Sequence, residues 1–174
     1  MVKTIEKKVD DIIEEYRKEI YGNEKEMENL LYPVLKEDIK AIGNARCFFV
    51  NLDNFVRKEL TKCRISNGII VLSSKHTTSC VYINHFEKGI MFDLSESLKK
   101  LYPNTPKKYQ HNVWDCEFKN ADAHLKAMSI GKNCMVVVKE SELLLGDFQN
   151  IIYAEFDNRP GKSITITYIG DINE

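Results

Sequence analysis

Cysteine occurs five times, at Cys47, Cys63, Cys80, Cys116 and Cys134, and never as C-x-x-C. An odd, scattered set reads neither as a disulfide framework nor as a short zinc motif. No apolar run approaches the roughly 20 residues of a helical membrane span, and the charged N-terminus lacks the apolar stretch of a signal peptide. Together these features give the expectation of a reducing, cytoplasmic setting. Charge of one sign is also missing: 25 Lys and Arg stand against 26 Asp and Glu, for a net charge of -1. There is thus no general electrostatic case for nucleic acid or an anionic membrane as partner. The Lys-Lys pairs at Lys7, Lys99 and Lys107 read as solvated faces. Neither G-x-x-x-x-G-K-[ST] nor G-x-G-x-x-G is present, which removes the familiar nucleotide sites. Ser73, Ser74 and Ser79 have no nucleophile elbow around them. Internal repeats and low-complexity segments are absent.

What remains is a chain of 174 residues, 43% hydrophobic and 29% charged, enough for one domain with a sizeable core. Residues 3 to about 21 space Ile5, Val9, Ile12, Ile13, Tyr16 and Ile20 along one helical face. Met27 to Ile42 repeats the pattern with Pro33 inside it, which predicts a kink or restart. Gly22-Asn23 and Gly43-Asn44 close the two patterns. Residues 1–44 are therefore expected to be a helical extension with a packing role. From 45 to 174 the texture is different. Strands are expected at Arg46–Leu52, Gly68–Ser73 and Ser79–Asn84, with helices at Asn54–Cys63 and over 88–101. A polar loop follows over 104–119, long enough to suggest function. The last four strand-like runs, Cys134–Lys139, Leu143–Leu145, Gln149–Phe156 and Ser163–Ile169, suggest an antiparallel meander. The fold class expected is α+β, with a largely antiparallel sheet and helices on one side.

The stretch Tyr109–Gly131 organises the chemistry, since it holds His111 and His124, two of the four histidines. Asn120 reads as a helix N-cap, with Asp122 in the first turn where the dipole favours it. Gly131 reads as the stop, and Ala121, Leu125 and Met128 form the expected buried stripe. His124 then lies at the edge of that stripe, near a helix N-terminus. His76 sits between an apolar strand and Thr77-Thr78. Each histidine taken singly is accounted for by a structural role at the end of an element. As a set, three imidazoles are a familiar donor set for zinc or a similar divalent ion, although their long spacing matches no short motif. Asp115, Glu117, Asp122 and Glu155 are candidates to orient the rings. Arg159 and Lys162, in the turn after Glu155, are candidates for a phosphate or carboxylate, or else ordinary exposed charges of a hairpin.

Three segments resemble the YjbQ family, small proteins known as secondary thiamine-phosphate synthases: GIIVLSSKHTTSCVYIN, YQH with NADAHLKAMSIG, and LLLGDFQNIIYAEFD. The resemblance spans about residues 46 to 170. It implies an α+β homotrimer acting on a phosphorylated small molecule, with a divalent metal on His76, His111 and His124. It places the capping asparagine on Asn120, an aspartate on Asp93, a glutamine on Gln149 and the late acidic residue on Glu155. Thr77, Asn120 and Gln149 thereby join Arg159 and Lys162 as substrate- or phosphate-binding candidates, with Glu155 and His85 as candidate catalytic groups. Two departures stand out. His85 follows Asn84 where the family usually has glutamate, and the basic turn reads Arg159-Pro160-Gly161-Lys162 instead of Pro-Arg-x-Arg. Three activities stay open: the synthase, a metal-dependent hydrolase of a phosphorylated compound, and a trimeric metal- or ligand-binding module without turnover.

Overall fold

The computed structural model describes residues 1–19, 23, 25–26, 29–32, 47–114, 117–157 and 159–172. Alternating β-branched and polar residues produce two antiparallel sheets among them. The larger has the order β1-β9-β4-β6-β7, with β1 Val2–Lys8, β4 Ile65–Ser74, β6 Asn133–Lys139, β7 Glu142–Leu143 and β9 Ser163–Ile172. The smaller has the order β2-β3-β8-β5, with β2 Leu31–Tyr32, β3 Phe48–Asn51, β5 Ser79–Asn84 and β8 Asn150–Glu155. Their facing sides share one core: Ile70, Leu72, Val136, Ile164, Ile166 and Tyr168 from the large sheet, and Phe48, Val50, Val81, Ile151 and Tyr153 from the small one. Helix α1 (Val9–Glu19) adds Val9, Ile12, Ile13 and Tyr16, and α2 (Asp53–Cys63) adds Phe55, Val56 and Leu60. The Tyr16 hydroxyl ties the two helices to β3: it donates to Asn51 O at 2.9 Å and accepts from Phe55 N at 3.2 Å.

The outer side of the small sheet forms a second core. Phe49, Cys80, Ile152 and Ala154 are covered by Met91 and Leu98 of α3 (Lys88–Leu101) and by Ala123 and Ala127 of the helix Ala121–Ile130. The short helix Gln110–Trp114 is α4, and Ala121–Ile130 is α5. Here alternation is read twice along β8: Ile151 and Tyr153 face one core, Ile152 and Ala154 the other. The mixed α+β class with antiparallel sheets agrees with the expectation.

Several local expectations change. Residues 2–8 are an edge strand, not helix: Val2 to Lys8 pair with Ile169 to Ser163 of β9. Backbone pairing outweighs a helical spacing that only Ile5 supports in this segment. The helix begins at Val9, and its buried face docks α1 into the main core. The second expected helix and the boundary at 44 lie mostly outside the described residues, though Leu31 and Tyr32 are strand. The loop over 104–119 contains a 3-10 turn at Pro106–Lys108 and α4, so His111 is carried by a helix. The final four runs do not form a meander: β6 and β7 pair together, while β8 joins the small sheet and β9 the large one. In α5 the buried stripe is rotated. Ala123 and Ala127 face the sheet, Leu125 is half-buried and Met128 is exposed, because small residues let the helix approach Cys80 and Ala154 closely.

Candidate functional site

Two crossovers between the sheets lie side by side at one end of the sandwich. Residues 75–78 lead from β4 to β5, and 156–162 lead from β8 back to β9. Backbone bonds join them, with Phe156 N donating to Thr78 O at 3.2 Å and Lys75 N to Ser163 O at 3.0 Å. The first carries His76, the second Asp157, Arg159 and Lys162. The N-terminus of α5 and the whole of α4 close on the same end, bringing His124 and His111.

His111 and His124 meet edge to face, with ring centroids 5.0 Å apart. They line an open cavity of about 320 Å³ together with Tyr109, Gln110, Ala121 and Leu125. Asn120 does not cap its helix through its side chain. Asn112 Oδ1 instead accepts from Ala121 N at 3.0 Å. Asn120 Nδ2 donates to Asp157 Oδ2 at 2.9 Å, which turns Asn120 Oδ1 toward His111 Nε2 at 3.3 Å. A carboxylate only accepts, so the amide orientation is fixed and His111 Nε2 carries a proton. In the neutral ring Nδ1 is then the nitrogen with the free lone pair. Asp157 also pairs with Arg159 Nε at 3.2 Å, and the guanidinium lies 3.5 Å from the centroid of the Phe118 ring.

His76 has the opposite polarity. Its Nδ1 receives Thr78 N–H at 3.3 Å and lies 2.9 Å from Thr78 Oγ1. A nitrogen that accepts a backbone N–H has no proton, so neutral His76 carries its proton on Nε2. Burial, reinforced by Lys162, lowers the pKa of His76 from its ordinary 6.5, while Glu155 and Asp157 oppose the shift. Burial also lowers that of His124, followed by the effect of His111, with Asp157 opposing. Both shifts favour the neutral ring.

Glu155 and Lys162 are not at the cavity surface. Both are buried, and they form an ion pair. Glu155 Oε1 also accepts from Phe156 N at 3.0 Å and Asp157 N at 2.7 Å, and Oε2 accepts from the Tyr153 hydroxyl at 2.8 Å. Lys162 Nζ donates further to Thr78 Oγ1 at 2.7 Å. The pair is thus an internal brace under His76. Asp122, one of the expected orienting acids, pairs with Lys126 inside α5 at 2.7 Å. Glu117 is exposed and Asp115 lies outside the described residues. Thr77 is exposed on the turn beside His76, and Asp93 is exposed on α3.

His85 and Gln149 are placed elsewhere. His85 follows β5 at its far end, about 20 Å from Ser79 at ~3.3 Å per residue. Its ring packs on Phe148 at 5.2 Å. Gln149 closes a turn there, accepting from Gly146 N at 2.9 Å. Within one chain neither joins the histidines. Thr78, Asp157, Asn112 and Phe118 do serve the site. The sequence marks Thr78 only as a neighbour of His76 and Asp157 only as the neighbour of Glu155 in an acidic strand end, and gives no signal for the other two.

Among the described residues no group of three or more His, Cys, Asp or Glu is arranged to hold a metal ion. By its donor chemistry, His76 with a proton on Nε2 does not fit as a third ligand beside His111 and His124.

Residues 38–171 match the family model described as UPF0047 protein, YjbQ-like. A UPF0047 protein of Archaeoglobus fulgidus is 40% identical over 91 residues, spanning 52% of this chain and 69% of that protein. One from Methanothermobacter thermautotrophicus is 29% identical over 79% of this chain and 93% of its own. A crystal structure titled as a YbjQ-like protein of unknown function, from Sulfolobus solfataricus, superposes with a TM-score of 0.69 at 23% identity, over 98% of this chain and 100% of that one. That alignment includes the edge strand and first helix that lie ahead of the matched family range. With the family model extending over well more than half of its length, this chain belongs to the YjbQ-like UPF0047 family.

Proposed function

We propose that the cavity lined by His111 and His124, together with His76 and Arg159 beside it at the same end of the sandwich, is an acid–base site for a phosphorylated small molecule. The observation that carries this is the opposite polarity of two fixed imidazoles: His111 keeps a free lone pair on Nδ1, and His76 keeps a donating Nε2–H. One can take a proton while the other hydrogen-bonds an anionic oxygen or returns a proton. Arg159, held by Asp157 and Phe118, supplies a fixed positive charge for phosphate. Lys162 is committed to Glu155 and does not.

The finest form of this reading is the thiamine-phosphate synthase reaction that the family resemblance implies. The C–O bond of a hydroxymethylpyrimidine diphosphate breaks and pyrophosphate leaves while His111 Nδ1 takes a proton from the pyrimidine's exocyclic amino group. The nitrogen of a thiazole phosphate then forms the new C–N bond, and His111 returns the proton to that amino group. Charge on the leaving diphosphate is met by Arg159 and His76 Nε2–H. A resident divalent ion would supply Lewis-acid stabilisation of the same charge, but His76 does not fit as its ligand and no step requires one. The test is to incubate both substrates with the protein in the presence of a chelator. Thiamine phosphate and pyrophosphate should form in equal amounts. Phosphate released from either compound alone would assign a hydrolase, binding without turnover would assign a binding module, and activity lost in chelator and restored by zinc would assign the metal.

A second copy of this chain is the partner we propose for the outer face of the large sheet. Ile69 and Val71 of β4 stand between Met135 and Val137 of β6 and Thr167 and Ile169 of β9. Met135, Val137 and Ile169 are exposed and form an apolar patch with Ile69 and Val71, bordered on the same face by the exposed Lys139 and Asp171. Solvated antiparallel faces normally alternate to polar residues, and a contiguous apolar patch marks an interface. The homotrimer implied by the family resemblance would bury it. The double substitution Met135→Lys and Val137→Lys should convert a trimer to monomers by light scattering without lowering monomer helicity. A wild-type monomer would refute the assembly.

A further inference from the structure

We propose that Thr78, supported by the buried Glu155–Lys162 pair, is a positioning residue that locks the tautomer of His76. The inference rests on reading His76 as a donor through Nε2. Thr78 has one hydroxyl hydrogen and three neighbours competing for it or for its oxygen. Lys162 Nζ can only donate, so Thr78 Oγ1 accepts from it at 2.7 Å. The hydrogen then goes to Glu155 Oε1 at 3.3 Å or to His76 Nδ1 at 2.9 Å.

Three observations direct it to His76. Glu155 Oε1 already accepts from Lys162 and from the backbone of Phe156 and Asp157. The path to His76 is shorter by the distances just given. Thr78 N–H also points at Nδ1, so that nitrogen is an acceptor already. Thr78 then donates twice to one ring nitrogen, from N–H and from O–H. Protonation of Nδ1 would set a proton against both. The ion pair acts at one remove: Lys162 fills the acceptor role of the hydroxyl, and Glu155 holds Lys162 in place. This gives the buried pair a function at the site although neither member reaches the cavity. Tyr153 completes the brace through Glu155 Oε2 at 2.8 Å.

The tautomer can be read directly from long-range proton–nitrogen correlations of the imidazole rings by NMR, in the ligand-free protein. Wild type should show His76 as the Nε2–H form. In Thr78→Val the backbone donor remains and the hydroxyl is lost, so the tautomer ratio should move about fivefold toward Nδ1–H, the worth of one buried hydrogen bond. Thr78→Ser should restore the wild-type ratio, which a merely structural role for the threonine methyl would not do. Predominant Nδ1–H in wild type would overturn the proposal without any variant, and so would an unchanged ratio in Thr78→Val. Because no substrate is present, this outcome is independent of whether the synthase assay succeeds. Binding of inorganic pyrophosphate, measured in parallel by calorimetry, separates the two: a correct tautomer with no pyrophosphate binding would leave the lock standing and remove the phosphate reading.

Discussion

Replacing Lys162 with methionine lowers folding stability by about 3–5 kcal/mol, the cost of leaving a buried carboxylate without its cation. Both side chains of the pair are almost fully enclosed, at 5% and 1% exposure. This distinguishes it from the surface pairs, such as Lys18 with Glu14, which contribute little. Glu155 would keep its bonds from Phe156 N, Asp157 N and the Tyr153 hydroxyl, so the loss falls short of a bare buried charge. The double variant Glu155→Gln with Lys162→Met should lose less than Lys162→Met alone, because the charge disappears and an amide oxygen still accepts from the backbone. Urea unfolding with a constant m-value measures wild type, Glu155→Gln, Lys162→Met and the double variant. Losses that simply add would show that the two residues do not act as a unit.

That pair marks a limit of what the sequence discloses. Lysine is rarely buried, so Lys162 in a turn with Arg159, Pro160 and Gly161 reads as a surface cation. Its partner lies seven residues back across a crossover between sheets, a relation that no local pattern encodes. By contrast His76 and His124 were legible because each lies next to a strong signal, the β-branched strands around the Lys75–Thr78 turn and the helix start at Asn120. Even so, the role of Asn120 was misread. Its side chain serves His111 and Asp157, and Asn112 supplies the cap. The two asparagines are equally able to cap, and tertiary neighbours decide between them. The same holds for α5, where the larger residues Leu125 and Met128 look like the core face and alanines occupy it. The sheet beneath offers Cys80 and Ala154, and shape complementarity overrides hydrophobicity. Strand β1 was hidden because its partner, β9, lies some 160 residues away, beyond any window of periodicity.

Alanine at His111 should reduce the coupling reaction by roughly 10²–10⁴-fold in kcat, the range expected when a positioned acid–base group is removed. The wall of the cavity it lines is otherwise made by Tyr109, Gln110, Ala121, His124 and Leu125, so the substitution opens space without unpairing a buried charge. Asn120 then loses one partner but keeps Asp157. Stability should therefore fall by much less than in Lys162→Met. The space left by the ring suits free imidazole, and added imidazole should return part of the lost kcat if the ring acts in proton transfer. A purely structural defect would not respond. Asn120→Ala provides the graded comparison: it leaves His111 in place but frees its ring to turn and to exchange tautomers, so kcat should fall by less than in His111→Ala, and imidazole should not help. Arg159→Ala should act differently again and raise KM, since its guanidinium is held by Asp157 and Phe118 for binding and takes no proton. Equal losses in all three, indifferent to imidazole, would mean that the cavity responds only to its packing. The opposite polarity of His111 and His76 would then have no bearing on chemistry.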